Sequence, residues 1–285
     1  MTAQEFTHPE DTAALKALES IPLLPALTKK FMDIGAEQMI YGTNMATKIK
    51  LSPTQLPKLY NILPPLCSRL GIKEPEFFLE MTPIPNAYAF GDTYTAITIT
   101  SGIVDLLTEE ELSACVAHEC GHILCRHMLY HTMASLLVNA ALQSDILGVI
   151  AAPLKYALLY WNRKSELSCD RVSTFCFGPE VTIRLMTRLA GGPKSITEDV
   201  NLVEFAEQAD QYDAIRKNGM WNKTLQTLAV LNQDHPYNSV RVRETLRWVV
   251  DDHYKKLRKK YPSCPHCYRE IKAGAHFCTN CGYEL

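Results

Sequence analysis

No run of about 20 predominantly apolar residues, the length a membrane-spanning helix needs, occurs in this 285-residue chain. The most apolar stretch, Met128 to Ser144, carries no Asp, Glu, Lys or Arg, but His131, Asn139 and Gln143 interrupt it. Asp145 and Lys155 bracket a second apolar run, Ile146 to Leu154. A buried helical hairpin in a soluble protein is expected over residues 128 to 161, with a membrane-facing hairpin as the alternative. Net charge is also scarce. Against 31 Asp and Glu stand 29 Lys and Arg, a balance of −2 that gives no overall case for nucleic acid or anionic membrane as a partner. The polar N-terminus, Met1-Thr-Ala-Gln-Glu-Phe-Thr-His-Pro-Glu10, lacks an apolar segment, so a signal peptide is not expected. Ten cysteines do not make a disulfide scaffold in so large a chain, since four form a metal pattern and the rest are scattered singly. A reducing, cytoplasmic setting fits them.

What is present is concentrated between Thr108 and His127. Thr108 followed by Glu111 reads as a capping box, with acidic residues in the first turn favoured by the helix dipole. Leu112, Cys115, Val116 and Ile123 recur at helical spacing and predict one buried face. Inside this helix lies His118-Glu119-Cys120-Gly121-His122, an H-E-x-x-H. Side chains at i and i+4 share a face, so both imidazoles can reach one zinc, with Glu119 beside them as the base for a metal-bound water. A catalytic zinc needs a third protein ligand and an open fourth position. Glu166 is the best candidate, because Glu166 and Asp170 share a helix face downstream of the histidines, and Asp170 could accept the outer N–H of a ligand histidine. Taken alone, such a Glu-x-x-x-Asp pair is usually a charged helix face. His127 and His131 also have i, i+4 spacing, but they turn away from the face of His118 and His122 and read as packing or surface histidines.

At the far end, Cys264-Pro-His-Cys267 and Cys278-Thr-Asn-Cys281 are two knuckles of a closed, four-thiolate structural zinc ribbon. So short a tail has no core of its own, and only the metal could hold it folded. The basic run before it, residues 251 to 262, reads as a solvated helix end.

Elsewhere, Asp11 to Leu18, Phe31 to Tyr41 and the leucines from Leu56 to Leu70 have helical spacing, broken by Pro64-Pro65 and capped at Gly71. No chemistry is evident there, and the segment reads as a wrap around the core. Phe77 to Met81, Ala87 to Phe90 and Thr95 to Thr100 are short, β-rich and bounded by turn residues, so a small sheet should precede the zinc helix. Residues 172 to 233 read as helices, with loop signals at Gly178-Pro179, Gly191-Gly192-Pro193 and Asn218-Gly219.

His118-Glu-Cys-Gly-His122, then Glu166-Leu-Ser-Cys-Asp170, then His235-Pro-Tyr-Asn-Ser-Val-Arg241 resembles the HtpX/CAAX-prenyl-protease family of gluzincin metallopeptidases, with its HExxH, ExxxD and late HP-x4-R. Asn86-Ala-Tyr-Ala-Phe-Gly91 and Ile99 to Leu107 extend the match over most of residues 50 to 250. The resemblance implies a zinc endopeptidase acting on peptide or protein substrates, with a role in protein quality control. It implies His118, His122 and Glu166 as ligands, Glu119 as catalytic base and His235 as oxyanion donor. Asp170 would orient a ligand histidine, and Arg241 would hold the His235 loop against a site carboxylate. The strand with Asn86, Ala87 and Tyr88 would be an edge strand that binds substrate, against the plainer alternative of a buried strand without ligand contact. Cys169 stands where the family usually has a small residue, and Cys120 lies inside the zinc motif; both read as small apolar fillers, against the alternative that either makes activity redox-sensitive.

The expected fold is thus α+β, mainly helical, with a gluzincin-type catalytic domain whose small β-sheet lies beside the HExxH helix. Residues 1–75 would form a helical region packed on the core, 76–250 the metallopeptidase domain, 251–262 a basic linker and 263–285 the zinc ribbon. One catalytic and one structural Zn2+ are expected. Two other readings compete. One is a non-enzymatic adaptor whose ribbon binds a protein or nucleic acid, which predicts a degraded catalytic motif; the other is a membrane-anchored quality-control protease. A protein partner for the ribbon is compatible with the first reading too.

Overall fold

The computed structural model describes residues 1–22, 24, 26, 28, 35–141, 145–217, 237–271 and 274–285, with the side chains of 36, 136–152 and 216 excepted. In chain order the main helices are α1 (Pro9–Glu19), α2 (Ala36–Thr47), α3 (Leu63–Leu70), α4 (Ser101–Leu106), α5 (Glu109–Leu124), α6 (Met128–Ala141), α7 (Asp145–Phe177), α8 (Pro179–Gly191), α9 (Leu202–Lys217), α10 (Asn238–Val250) and α11 (Asp252–Lys260). Four strands, β1 (Ile49–Lys50), β2 (Glu76–Glu80), β3 (Ala87–Phe90) and β4 (Ala96–Thr100), form one mixed sheet. The chain is mainly helical with a small sheet and a terminal ribbon, as the sequence pattern predicts.

Helix α5 begins at a complete capping box. Thr108 Oγ1 accepts from the Glu111 amide, and the Glu111 carboxylate accepts from the Thr108 amide. From there the helix runs through the middle of the molecule. Leu112, Val116, Ala117 and Cys120 are buried against Phe175 and Val172 of α7, Ile97 and Ile99 of β4, and Trp248 of α10. Burying a large aliphatic or aromatic side chain contributes roughly 1.5–3 kcal/mol, so this shared core holds α5 from several sides. Gly121 sets the approach of α5 to α7: a Cβ there would lie 3.0 Å from the Cys169 Cα. Only glycine permits that crossing without displacement, and the crossing brings His118 and His122 opposite Glu166.

The sheet has the order β1-β2-β4-β3. β1 is antiparallel to β2, β2 parallel to β4, and β3 antiparallel to β4, which leaves β3 as an edge. The leucine run of residues 56 to 70 is divided into a single turn, Pro57–Tyr60, and α3, with prolines in its first turn. There the missing N–H of proline costs nothing. Gly71 closes α3 with φ +70°, the left-handed cap expected of it. Of the helical run read over Phe31 to Tyr41, residues 31–34 lie outside the described residues, as does Asn218-Gly219.

Helices α6 and α7 pack as a hairpin, with α1 laid on α7, and Ala14, Leu18, Met133, Leu158 and Trp161 share a buried cluster. Among the described residues, no helix is long and apolar enough to cross a membrane. The segment read as a basic linker is α11, whose Tyr254 and Leu257 are buried in the main core, while its lysines face outward. The spacing of those two apolar residues within a basic run gives the helix a buried side. The ribbon then rests on the end of α7: Tyr268 covers Gly178, and Arg269 lies over the Phe177 ring.

Candidate active site

The two motif histidines sit one turn apart on α5, with ring centroids 5.1 Å apart. Glu166 on α7 faces both. Its Oε2 lies 3.1 Å from His118 Nε2, and its Oε1 lies 3.2 Å from His122 Nε2. All three side chains are at least nine-tenths buried. Two imidazole nitrogens and a carboxylate are a zinc donor set, and metal–ligand bonds of ~2.1 Å place tetrahedral ligands ~3.4 Å apart, close to these separations. The carboxylate thus faces both imidazoles, one oxygen to each, and the three side chains are of the types that hold zinc. The electrostatics agree: burial would pull His118 toward neutrality, but Glu166 and Asp170 outweigh it and lift its pKa to about 10. Cys169 also lies within ligand distance of His118 and His122. Burial pushes its thiol well above the usual range, whereas the Glu166 carboxylate faces the Nε2 atoms of both histidines, at 3.1 and 3.2 Å.

Behind His118 stands Asp170, one turn beyond Glu166, with Oδ1 3.0 Å from His118 Nδ1. Arg241, in the first turn of α10, donates through Nε to Asp170 Oδ2 at 2.9 Å and through Nη2 to Oδ1 at 2.6 Å. Burial alone would raise the Asp170 carboxyl, but Arg241 and His118 hold it below the usual carboxylate range. The carboxylate is placed to accept the His118 Nδ1 proton, so that Nε2 would be the nitrogen left for a metal.

A cleft of about 350 Å³ opens over these groups. Asn86 and Ala87 border it on one side, Leu185 and Leu189 on another, and Tyr237 and Asn238 on a third, with His118, Glu119, Glu166 and Arg241 along its wall. Thr100 N–H donates to the Asn86 carbonyl, and β3 continues in antiparallel register with β4 from there. Alternation turns the amides and carbonyls of Ala87 and Ala89 away from β4, toward the open edge. Tyr88 departs from the expectation of a substrate contact. Its backbone pairs with Thr98, and its hydroxyl donates to Glu80 at 2.6 Å on the opposite face, because successive strand side chains alternate. His235 and Pro236 lie outside the described residues.

The reading of His127 and His131 needs correction. His127 is buried, and its Nδ1 lies 3.2 Å from His122 Nδ1; the His131 ring centroid is 4.6 Å from that of His122. A continuous helix would carry His127 about 140° round from His122. Instead α5 stops at Leu124, Arg126 takes φ +60°, and the chain folds back so that the His127 amide donates to the His122 carbonyl at 2.9 Å. Behind His127 is Asp11 of α1, with Oδ2 3.1 Å from His127 Nε2. Trp161 and Ser168 also donate to that carboxylate. The N-terminal wrap therefore reaches the site. Nothing near Asp11 in the sequence signals this, since an acidic residue in a first helical turn is ordinarily a partner of the helix dipole.

The second metal candidate is distant in kind. Cys264, Cys267, Cys278 and Cys281 offer four sulfurs within 4.8 Å of one another, a donor set that suits a closed zinc site. The amides of His266 and Cys267 point at Cys264 Sγ, at 3.4 and 3.5 Å.

Residues 53–249 match peptidase family M48, and residues 263–285 match a zinc-ribbon domain. The chain is 33% identical over 266 residues to the plastoglobule-localized metallopeptidase 48, chloroplastic, of Arabidopsis thaliana, covering 91% of this chain and 76% of that protein. It is 34% identical over 103 residues to the Protease HtpX homolog of Sulfurihydrogenibium sp. (strain YO3AOP1), covering 33% of this chain and 35% of that one. With the Protease HtpX homolog of Sulfurovum sp. (strain NBC37-1) it shares 38% identity over 84 residues, 29% of this chain and 30% of the relative. The chain thus spans about a third of these two bacterial relatives. No solved structure matches.

Proposed function

The chain belongs to peptidase family M48 and is a zinc metallopeptidase, and from that premise we propose an endopeptidase with one catalytic and one structural zinc. Its catalytic ligands are His118, His122 and Glu166, and its structural ligands are Cys264, Cys267, Cys278 and Cys281. The observation that carries this reading is the convergence of three buried donors, two of which, His118 and Glu166, line a cleft bordered by a strand edge that is unpaired among the described residues.

Held by these three ligands, a zinc ion would supply Lewis acidity and make water acidic enough to react at neutral pH. Glu119, adjacent to His118 and lining the same cleft, would be the base that takes the proton of the attacking water and returns it to the leaving amine. Asp170 keeps the His118 proton on Nδ1, and Arg241 keeps Asp170 ionised and fixed. His235 precedes the cleft-lining Tyr237 by two residues, which supports its assignment as oxyanion donor; such a donor is worth about 2.7–4 kcal/mol in the transition state. An extended peptide pairs through its backbone with Ala87 and Ala89. Main-chain pairing reads little of the side-chain sequence, which suits unfolded proteins of varied sequence as substrates, and hence quality control. We place the protein in the cytoplasm, where its ten unpaired thiols stay reduced.

The test is cleavage of unfolded casein together with zinc content. Glu119→Gln should lower cleavage by about 10²–10⁴-fold, the worth of a general base, while keeping both zincs. His118→Ala should abolish cleavage and leave one zinc. A Glu119→Gln protein of wild-type activity sinks the reading, and so does a wild type that holds only the ribbon zinc.

A further inference from the structure

The two motif histidines have unequal surroundings. His118 meets a carboxylate directly, Asp170 Oδ1 lying 3.0 Å from its Nδ1. His122 does not. Its Nδ1 faces another imidazole nitrogen, His127 Nδ1, at 3.2 Å. The far side of that second ring then meets a carboxylate, with His127 Nε2 3.1 Å from Asp11 Oδ2. Asp11 is 1% exposed, His127 3% and His122 5%, so water does not supply these partners. Asp11 is itself fixed: Trp161 Nε1 donates to Oδ1 at 3.0 Å, and Ser168 Oγ donates to Oδ2 at 2.6 Å.

We propose that Asp11 and His127 are positioning residues that set the tautomer and ring orientation of His122, a relayed counterpart of what Asp170 does for His118. The inference rests on His122 being a zinc ligand. Its logic is one of donors and acceptors. An ionised carboxylate only accepts, so the His127 proton that faces Asp11 is on Nε2. His127 Nδ1 then carries a lone pair, and it accepts from His122 Nδ1–H, since two bare nitrogens at this distance would repel. That leaves His122 Nε2 without a proton, turned toward Glu166 Oε1 at 3.2 Å, where the donors converge. A metal-ligating histidine ordinarily gives its other N–H to a carboxylate, carbonyl or water. Here the acceptor is a histidine that the backbone reversal at Arg126 swings back over the helix end. The carboxylate that sets its proton comes from α1, so the N-terminal helix belongs to the metal site.

The experiment is zinc competition with a fluorescent chelator on the full chain, with the ribbon zinc as internal reference. Asp11→Asn keeps the shape but loses the charge, and His127→Phe keeps a ring beside Trp161 but loses both nitrogens. Each should weaken the catalytic zinc about 10–100-fold and leave the ribbon zinc unchanged. Because Asp11 acts only through His127, the double variant should bind zinc no more weakly than His127→Phe alone. Long-range ¹H–¹⁵N spectra of histidine-labelled wild type should show His127 with its proton on Nε2, and this readout survives if a variant fails to fold. Wild-type catalytic zinc affinity in folded Asp11→Asn overturns the relay, as does additivity in the double variant or a proton on His127 Nδ1. A third zinc that His131→Ala removes overturns it as well, since His127 would then be a ligand. A wild type without catalytic zinc overturns the ligand assignment and the relay together.

Discussion

The catalytic centre and the ribbon solve one problem, holding a zinc ion, by opposite means. In the ribbon all four donors lie within 18 residues of one another, two per knuckle, and Cys281 is exposed. What supports them is local, chiefly amides of the same knuckle directed at sulfur. At the catalytic centre the donors come from α5 and α7, and their partners from α1, α10 and the turn after α5, all buried. On the proposed ligand assignment, the first site would be folded by its metal. The second would be folded by the protein and offer the metal a finished, one-sided set of donors. That difference is what separates a structural zinc from a catalytic one: a site that must release product and bind water cannot also be the only thing holding its chain together.

The sharpest way to break the comparison is to remove one ligand from each half. Structural zinc contributes about 10–16 kcal/mol to small zinc-held domains. Cys264→Ser should therefore unfold residues 263–285, seen as rapid proteolysis of that segment and a fall from two zincs to one. Helicity and casein cleavage should stay within about twofold of wild type, since the ribbon meets the main core at the end of α7, through Tyr268 and Arg269, and among the described residues supplies none of the groups around His118, His122 and Glu166. A ribbon that stays protease-resistant without zinc would erase the distinction.

The next largest effect falls on the protein-built half. Arg241 and Asp170 form a buried pair, and removing one partner strands a charge at a cost of about 3–5 kcal/mol. Arg241→Ala should lower the melting temperature strongly and weaken catalytic zinc, with ribbon zinc unaltered. Equal weakening of both zincs would show that the two sites are not independent.

Much of this contrast is legible in the residues, for a physical reason. HExxH, ExxxD and the two CxxC knuckles are local patterns, so helical or knuckle geometry already determines which side chains within each share a face, while the meeting of Glu166 with His118 and His122 depends on the packing of α5 on α7. The capping box at Thr108 and the glycine cap at Gly71 are local in the same way. Tyr88 and His127 are not. Tyr88 is set by the phase of a strand in its sheet, and His127 by one backbone reversal at Arg126, which an unbroken helical reading places on the wrong side. Asp11 is the extreme case, because only tertiary packing of α1 on α7 brings it to the site. The basic run of α11 misleads for a related reason: Tyr254 and Leu257 are sparse in sequence yet sufficient to bury one side.

Acid should separate the halves of the wrap. Glu244 on α10 meets His8 just before α1, and that contact, with Arg247 and Arg243, outweighs partial burial and depresses its pKa to about 2 from 4.5. A depressed carboxylate stabilises the fold fully above its unfolded value of 4.5, and that contribution is lost as pH falls through about 2. Glu244→Gln should thus melt below wild type at neutral pH, and the gap between the two should shrink as the medium is acidified towards pH 2. A gap that widens in acid would reverse the assigned sign. The ribbon has no part in this carboxylate, so its proteolysis rate should match wild type at neutral pH.

The smallest predicted effect is the most exacting test of a protein-built site. At Gly121 a new Cβ would lie 3.0 Å from Cys169 Cα and 3.2 Å from its Cβ, so α5 and α7 must separate by a few tenths of an ångström. Overpacking of this kind costs about 1–3 kcal/mol. Alanine returns about 0.8–1.0 kcal/mol of helix propensity, so the net loss for Gly121→Ala should be no more than about 2 kcal/mol. Gly42, inside α2, has nothing within 4 Å of its Cβ position, so Gly42→Ala should gain stability by the same propensity term. The contrast in zinc matters more than the contrast in melting. Only Gly121→Ala moves the helix of His118 and His122 against the helix of Glu166, so it alone should weaken catalytic zinc, out of proportion to its effect on stability. Were Gly121→Ala to bind catalytic zinc as tightly as Gly42→Ala does, the site would tolerate displacement as the ribbon does, and a preformed donor set could not be the reason it works.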